Sequence, residues 1–447
     1  MEEFMNRKDS EFMYGTETPW NLIKNYFDGK HLELLVRHQL ESYNTFVEYD
    51  IQKTIEMFNP VSIKSENDYD EINKKYTLEI IINFENFQLY RPQIHENNGA
   101  TKLMFPQEAR LRNFTYASPM TVDVNIQYIT RTGPTLDKCE TKNKLISQIH
   151  IGKLPIMLRS SICILNQYKH MSSKLTGECI YDSGGYFIIN GSEKTVLGQE
   201  RAAENKVYCF NVQKNNTKWS WISEIKSVPD FKCISPKQLN VMVSSKNNGF
   251  GYSIYIQIPR IKNPIPIFVL FRALNIISDK DICNIIVLDI KNKKYDNILT
   301  FLKASIVDTE SLNVTTYDDA IEYITSQVMF TPINMTKENG LLKKKEFAID
   351  VLTNDLFPHC RTKEQKVYFL GYMINKTIKA RLGIIPQDDR DSYLNKRIDL
   401  TGTLLNNLFR NYFNKVVKDL QKQTIKEINN GSWRSTNDYN NIINKTN

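Results

Sequence analysis

The 447-residue chain is 41% apolar, 24% charged and 11% aromatic, which supplies two or three packed cores and excludes disorder throughout. Its formal charge of +8 lies wholly in residues 361–447, where sixteen Lys or Arg stand against eight Asp or Glu; the remaining residues carry 42 of each sign. A membrane-spanning helix is excluded as well, because the longest strongly apolar run, Pro264 to Leu274, is short and interrupted by Arg272.

Residues 1–15 read as a tail without the apolar segment of a secretory signal or the Arg-rich pattern of a transit peptide, so an intracellular location is expected. Thr18-Pro19 can open a helix, with proline in its first turn. Leu32, Leu35, Val36, Leu40, Tyr43, Phe46 and Val47 recur at helical spacing and predict an amphipathic helix packed on a core. From Lys75 to Ser227, runs such as TLEIIINF and MTVDVNIQYI predict a largely β region. Within it, Asn190-Gly191 between Tyr186 to Ile189 and Val196-Leu197 predicts a hairpin with Ser192, Glu193 and Lys194 at or just beyond the turn. Residues 217–331 mix strands near Tyr252 to Ile258 with helices near Phe268 to Leu274 and Asp318 to Thr325. Beyond Lys343 the pattern is helical: Thr362-x-x-Gln365 suits a capping box, and Leu404, Leu405, Leu408, Phe409, Tyr412, Phe413, Val416, Val417 and Leu420 form a broad apolar stripe. Arg410, Lys415, Lys418, Lys422 and Lys426 lie among its polar positions, where a solvated helix face is slightly favoured over a phosphate-binding one.

No phosphate-cradling glycine loop, nucleophile elbow or metalloprotease His pair is present, so the chain is not expected to hold an autonomous active site. The seven cysteines, Cys139, Cys163, Cys179, Cys209, Cys233, Cys283 and Cys360, form no Cys-x-x-Cys pair, which argues against a disulfide framework or zinc site. The acidic group Asp388-Asp389-Arg390-Asp391 could hold magnesium, but Arg390, Lys396 and Arg397 favour internal ion pairing. No cofactor or metal is expected on this chain alone.

Four stretches carry unusual wording: FPQEARLRNFTYASPMTVDV at Phe105 to Val124, IGKLPIMLRSSIC at Ile151 to Cys163, GGYFIINGSEKTVLGQERAAEN at Gly184 to Asn205, and DDRDSYLNKRIDLTG at Asp388 to Gly402. With LVRHQLESYNTF, IPIFVLFRALNI and YFLGYMIN, they resemble the N-terminal portion of the second-largest subunit of multisubunit DNA-directed RNA polymerase, RNA polymerase II type. The resemblance runs in family order from about Thr18 to Ile428. Abundant Asn, Ile and Lys add the expectation of an AT-rich genome, such as that of a large DNA virus, which places the chain in a nucleus, a viral cytoplasmic factory or a virion.

The resemblance implies an α+β fold: a mixed-sheet protrusion domain with long C-terminal helices and an inserted α/β lobe domain. Its parts would be a tail at 1–15, protrusion at 16–216, lobe at 217–352, helical protrusion at 353–428 and a flexible tail or unfinished connection at 429–447. It also implies DNA-templated transcription beside the nucleic-acid cleft. The implied partners are the largest and the smaller polymerase subunits, the DNA template, the RNA–DNA hybrid and initiation factors, with no membrane; magnesium belongs to the assembled enzyme. The rival expectation is a noncatalytic partial copy acting as a transcription-factor interaction module or decoy. Lys194, in the family's Gly-Ser-Glu-Lys block, is expected near the hybrid as a phosphate contact, against the alternative of pairing with Glu193 or Glu200. Lys396 and Arg397 are expected on the same nucleic-acid-facing side, with pairing to Asp389, Asp391 or Asp399 an equal alternative. Ser392 and Leu394-Asn395 depart from the His and Gly-Lys pair usual in relatives. Arg110, Arg112, Arg159 and Arg201 are expected to be structural guanidinium bridges.

Overall fold

The computed structural model describes residues 17–27, 34–70, 73, 75–168, 170–212, 218–232, 234–331 and 337–430. The expected N-terminal tail, Leu32, Cys233 and nearly all of the expected C-terminal tail lie outside them. The chain divides into two compact units, one drawn from Met1–Glu200 and Ile398–Asn447, the other from Arg201–Arg397.

In the first unit, helix α1 (Glu17–Phe27) begins where Thr18-Pro19 predicts it. The next apolar stripe forms α2 (Arg37–Thr45), a π-helical turn at Phe46–Asp50 and α3 (Ile51–Phe58), burying Leu40, Tyr43, Phe46, Val47, Ile51 and Ile55. These helices cover a four-stranded antiparallel meander of β1 (Val61–Lys64), β2 (Leu78–Leu89), β3 (Ala117–Thr132) and β4 (Lys138–Pro155). Strand alternation puts Val61, Ile63, Ile80, Ile82, Phe84, Val122, Val124 and Ile126 on the covered face. Each such side chain, fully buried, contributes roughly 1.5–3 kcal/mol. The outward Glu79 takes Lys64 at 2.9 Å and Arg131 at 3.0 Å, and the Lys64 hydrogen bond leads in holding its carboxyl below the usual range.

A 29-residue helix, Thr401–Asn429, completes this core with Phe413, Val417 and Leu420, the Phe413 ring packing edge-on against Phe58 and Phe84. The predicted stripe is too broad, since Leu408 and Tyr412 are 51% and 63% exposed. A second small core gathers Ile94, Met104, Ala109 from α4 (Pro106–Leu111), Tyr116, Ile156, Leu158, Cys163, Ile164 and Ile188.

After the hairpin strands β5 (Phe187–Ile189) and β6 (Ser192–Lys194) of the first unit, the second unit carries a five-stranded antiparallel meander: β7 (Tyr208–Asn211), β8 (Trp219–Ser227), β9 (Lys237–Asn247), β10 (Tyr252–Gln257) and β11 (Ile265–Pro266). Helix α5 (Ile267–Ala273) is buried along its whole length, which is why its sequence shows no amphipathic period. Helices α6 (Asp279–Val287), α7 (Asp296–Ser311), α8 (Tyr317–Gln327), α9 (Lys337–Asp350) and α10 (Lys363–Arg381) build out the same core.

The chain is thus α+β, and two expectations change. Both large sheets are antiparallel rather than mixed, and the inserted region is a meander followed by helices, not an α/β alternation. The compact units divide at 200/201 and 397/398. The physical reason is the packing of α10: Val367, Leu370, Met373, Ile374 and Ile378 enter the core that holds the five-stranded sheet. Buried Ser223 and Thr377 hydroxyls meet at 2.5 Å, and Asn375 donates to the Ile286 carbonyl at 2.7 Å. Gly371 permits this approach, because a Cβ there would lie 2.9 Å from the Ile285 carbonyl oxygen.

Candidate nucleic-acid interface

The Asn190-Gly191 hairpin joins β5 (Phe187–Ile189) to β6 (Ser192–Lys194), with Ser192 opposite Ile189 and Lys194 opposite Phe187. Asn190 and Gly191 have φ of 50° and 77°, the paired positive values of a type I′ turn. Gly191 is further required by closeness, since a Cβ would fall 2.9 Å from the Asn113 Cα. The turn is tied down at both ends. The Gly191 amide donates to the Phe114 carbonyl at 3.0 Å, and the Thr115 hydroxyl accepts from the Asn190 amide and donates to its side-chain oxygen, each at 3.1 Å. The paired strand begins at Ser192, directly after the turn, rather than at Val196.

Beneath the hairpin, Arg110 organises a charged cluster. Its Nε donates to Glu193 at 2.7 Å, one terminal nitrogen to Glu178 at 2.7 Å and the other to the Tyr186 hydroxyl at 2.8 Å. Tyr186 in turn donates to Asp182 at 2.6 Å. Burial opposes the Arg110 charge, but Glu178, only 8% exposed, more than offsets it and holds the guanidinium protonated. Burial, then the bond to Asp182, pushes the Tyr186 phenol upward, so it stays a neutral donor.

This cluster decides one alternative at Lys194. Glu193 is engaged by Arg110, while the Lys194 side chain is exposed and makes no hydrogen bond or ion pair among the described residues. The hairpin thus presents a single ammonium from a rigid mount.

Lys396 and Arg397 belong to the other compact unit, at the end of the loop that follows Asp388. Arg397 is exposed and donates to the Lys396 carbonyl at 2.7 Å, and Lys396 is half-buried. The acidic group before them is sewn down locally. Asp388 takes Lys376 at 2.8 Å and the Cys209 amide at 2.8 Å, and Arg390 pairs with Glu224 at 3.0 Å while lying 4.1 Å from the Phe210 ring centre. Internal pairing therefore holds at Asp388 and Arg390, whose partners are Lys376 and Glu224. Among the described residues no cluster of three or more His, Cys, Asp or Glu is placed to hold a metal ion. A divalent cation does not fit Asp388 with an ammonium already on its oxygen.

The other matched arginines act as bridges. Arg112 grips Glu96 through two nitrogens at 2.7 and 3.0 Å and Glu108 at 3.0 Å, with Lys102 on the same two carboxylates. The Arg112 bond, then that of Lys102, lowers Glu96 to about 2. Arg159 donates to the Cys179 carbonyl at 3.3 Å, and Arg201 lies 3.2 Å from Glu204. The sequence offers no hint of Glu178, Tyr186 or Asp182 as supports of the hairpin, because Glu178 and Tyr186 reach Arg110 from far along the chain and Asp182 acts through Tyr186.

With the fold and this geometry established, the family follows: the chain belongs to the RNA polymerase beta subunit family, whose pattern matches residues 34–446. It is 35% identical over 427 residues to DNA-directed RNA polymerase II subunit 2 of Arabidopsis thaliana, covering 93% of this chain and 34% of that protein. It is 35% identical over 418 residues to subunit RPB2 of Schizosaccharomyces pombe, covering 91% and 33%. To subunit Rpo2N of Methanococcus vannielii it is 30% identical over 395 residues, covering 87% of this chain and 71% of that one. The chain spans about a third of the length of the polymerase II relatives. No described helix is long and apolar enough to cross a membrane.

Proposed function

We propose that this chain supplies the protrusion and lobe beside the nucleic-acid cleft of a DNA-directed RNA polymerase, the first compact unit being the protrusion and the second the lobe. Template-directed RNA synthesis then belongs to the assembled enzyme, built with the largest and smaller subunits, whose catalytic magnesium lies outside this chain. The family match over residues 34–446 supports the subunit assignment. Within that reading Lys194, Lys396 and Arg397 make phosphate contacts to the template or hybrid. The observation carrying this is the division of labour at the hairpin: Arg110 neutralises Glu193 and leaves Lys194 available. A lysine at a turn acts on phosphate as a point charge and positions a duplex without reading bases.

The test is a tagged chain purified from its source at mild salt, followed by template-dependent synthesis. Recovery with a largest subunit and activity supports the assignment, and recovery without either removes it. In the active complex, Lys194→Ala and the pair Lys396→Ala with Arg397→Ala should weaken elongation complexes. Each lost contact should flatten the log–log salt dependence by about 0.7–0.9. Unchanged slopes would remove these residues from the interface.

A further inference from the structure

In the second unit a cavity of about 210 Å³ opens beside α5, α8 and the start of α10. Its floor is apolar, formed in part by buried Leu274, Ile321 and Leu352. Its rim is cationic: Lys232, Arg361 and Lys363 are exposed, and none has a carboxylate partner among the described residues. Two of these cations are seated on rings, Arg361 5.1 Å from the Phe231 centre and Lys363 5.7 Å from that of Tyr317. That seating reduces the side-chain freedom a ligand must remove.

Among the described residues no Asp or Glu lines the cavity. Of the acids on the surrounding segments, Asp318 pairs with Lys345 at 3.7 Å, buried Asp355 pairs with Lys237 at 3.0 Å and with Arg260, Glu364 lines the adjoining hollow, and exposed Asp230 stands outside the lining. The fourth lining cation, Lys366, is buried and donates to the carbonyls of Leu352 and Thr353, which closes the bottom of the site. The rim charge therefore has no neutralising group in the cavity itself.

Size and polarity narrow the occupant. Cofactor and drug-sized ligands fill roughly 300–1,000 Å³, so this volume suits one large side chain. The Lys366 ammonium at the bottom is taken up by two backbone carbonyls, and the Thr353 hydroxyl and Asn354 amide nitrogen donate to Ile349 and Asp350 within their own helical turns. An apolar socket ringed by fixed charge is the arrangement in which a buried aromatic anchor supplies affinity and opposite charge supplies selection. We propose that this cavity docks an acidic segment of a partner protein, which inserts one aromatic side chain against Leu274, Ile321 and Leu352 and sets flanking carboxylates against Lys232, Arg361 and Lys363.

The proposal stands apart from the nucleic-acid contacts assigned to Lys194, Lys396 and Arg397. It is tested on the whole chain by fluorescence anisotropy with a labelled synthetic peptide holding one phenylalanine among aspartates. The expected result is saturable binding at least about tenfold tighter than that of the same peptide with alanine for phenylalanine, and weakened about tenfold or more by Arg361→Glu or Lys363→Glu. Both substitutions are at exposed positions, and circular dichroism verifies that the fold persists. No binding, or equal binding of the two peptides, overturns the proposal. Displacement of the peptide by an equally charged oligothymidylate, with the same sensitivity to both substitutions, also overturns it and makes nucleic-acid phosphate the occupant.

Discussion

Gly402 shows how closely one position can be constrained. It opens the helix Thr401–Asn429 against α2, where a Cβ would collide with the Ser42 carbonyl oxygen, and its amide donates to the Ser42 hydroxyl at 3.0 Å. Backbone sits on both sides of that contact, so no flexible side chain can give way. Gly402→Ala should therefore cost about 2–3 kcal/mol, the range of overpacking in a rigid site. Urea unfolding measures it as a lower midpoint at constant slope, with Thr403→Ala, at an exposed position of the same turn, as control. Equal midpoints for the two variants would show that the helix can shift away from Ser42. The DDRDSYLNKRIDLTG wording ends on this glycine, yet nothing in the letters says what it faces. Arg110 is similar: its structural role is legible from its place in FPQEARLRNF, whereas Glu178 and Asp182 are visible only once the chain has folded back.

Elements whose cause lies within a few residues are those the sequence specifies best. Thr362 accepts from the Gln365 amide at 3.2 Å, and the Gln365 side chain accepts from the Thr362 amide at 3.3 Å, so the predicted capping box of α10 is present in both directions. Thr362→Ala should cost about 1 kcal/mol and speed amide exchange in the first turn, while Thr362→Ser keeps the acceptor and should leave both nearly unchanged. Loss of equal size in both variants would assign the effect to packing of the methyl group instead. The Asn190-Gly191 hairpin was legible for the same local reason, positive φ at two adjacent positions. Patterns that depend on a partner surface were read less well. The stripe of the helix Thr401–Asn429 looks broader in sequence than the face it buries, because periodicity marks which side chains can be covered and not how wide the neighbour is. Sheet polarity was missed because alternation along a strand carries no direction.

For the whole molecule, the informative point is which core receives each of the last helices. Helical character beyond residue 343 suggested that the last helices belong together, but secondary-structure type does not decide which core receives a helix. Helix α10 joins the five-stranded sheet through Val367, Leu370, Met373, Ile374 and Ile378, while the helix Thr401–Asn429 joins the four-stranded one through Phe413, Val417 and Leu420. The basic excess of residues 361–447 is divided in the same way and partly consumed internally, with Lys366 buried, Lys376 on Asp388 and Arg390 on Glu224, while Lys415, Lys418 and Lys422 face solvent. The segment 201–397 thus contains every buried residue of its own core, whereas 217–352 lacks β7 and α10 and would expose the apolar positions that both cover. Produced alone, 201–397 should unfold in one cooperative urea transition monitored equally by tryptophan fluorescence and circular dichroism. The shorter 217–352 should aggregate or lose that transition. If 217–352 melts as cooperatively as the longer segment, α10 is dispensable to this core and the boundary belongs near residue 352 after all.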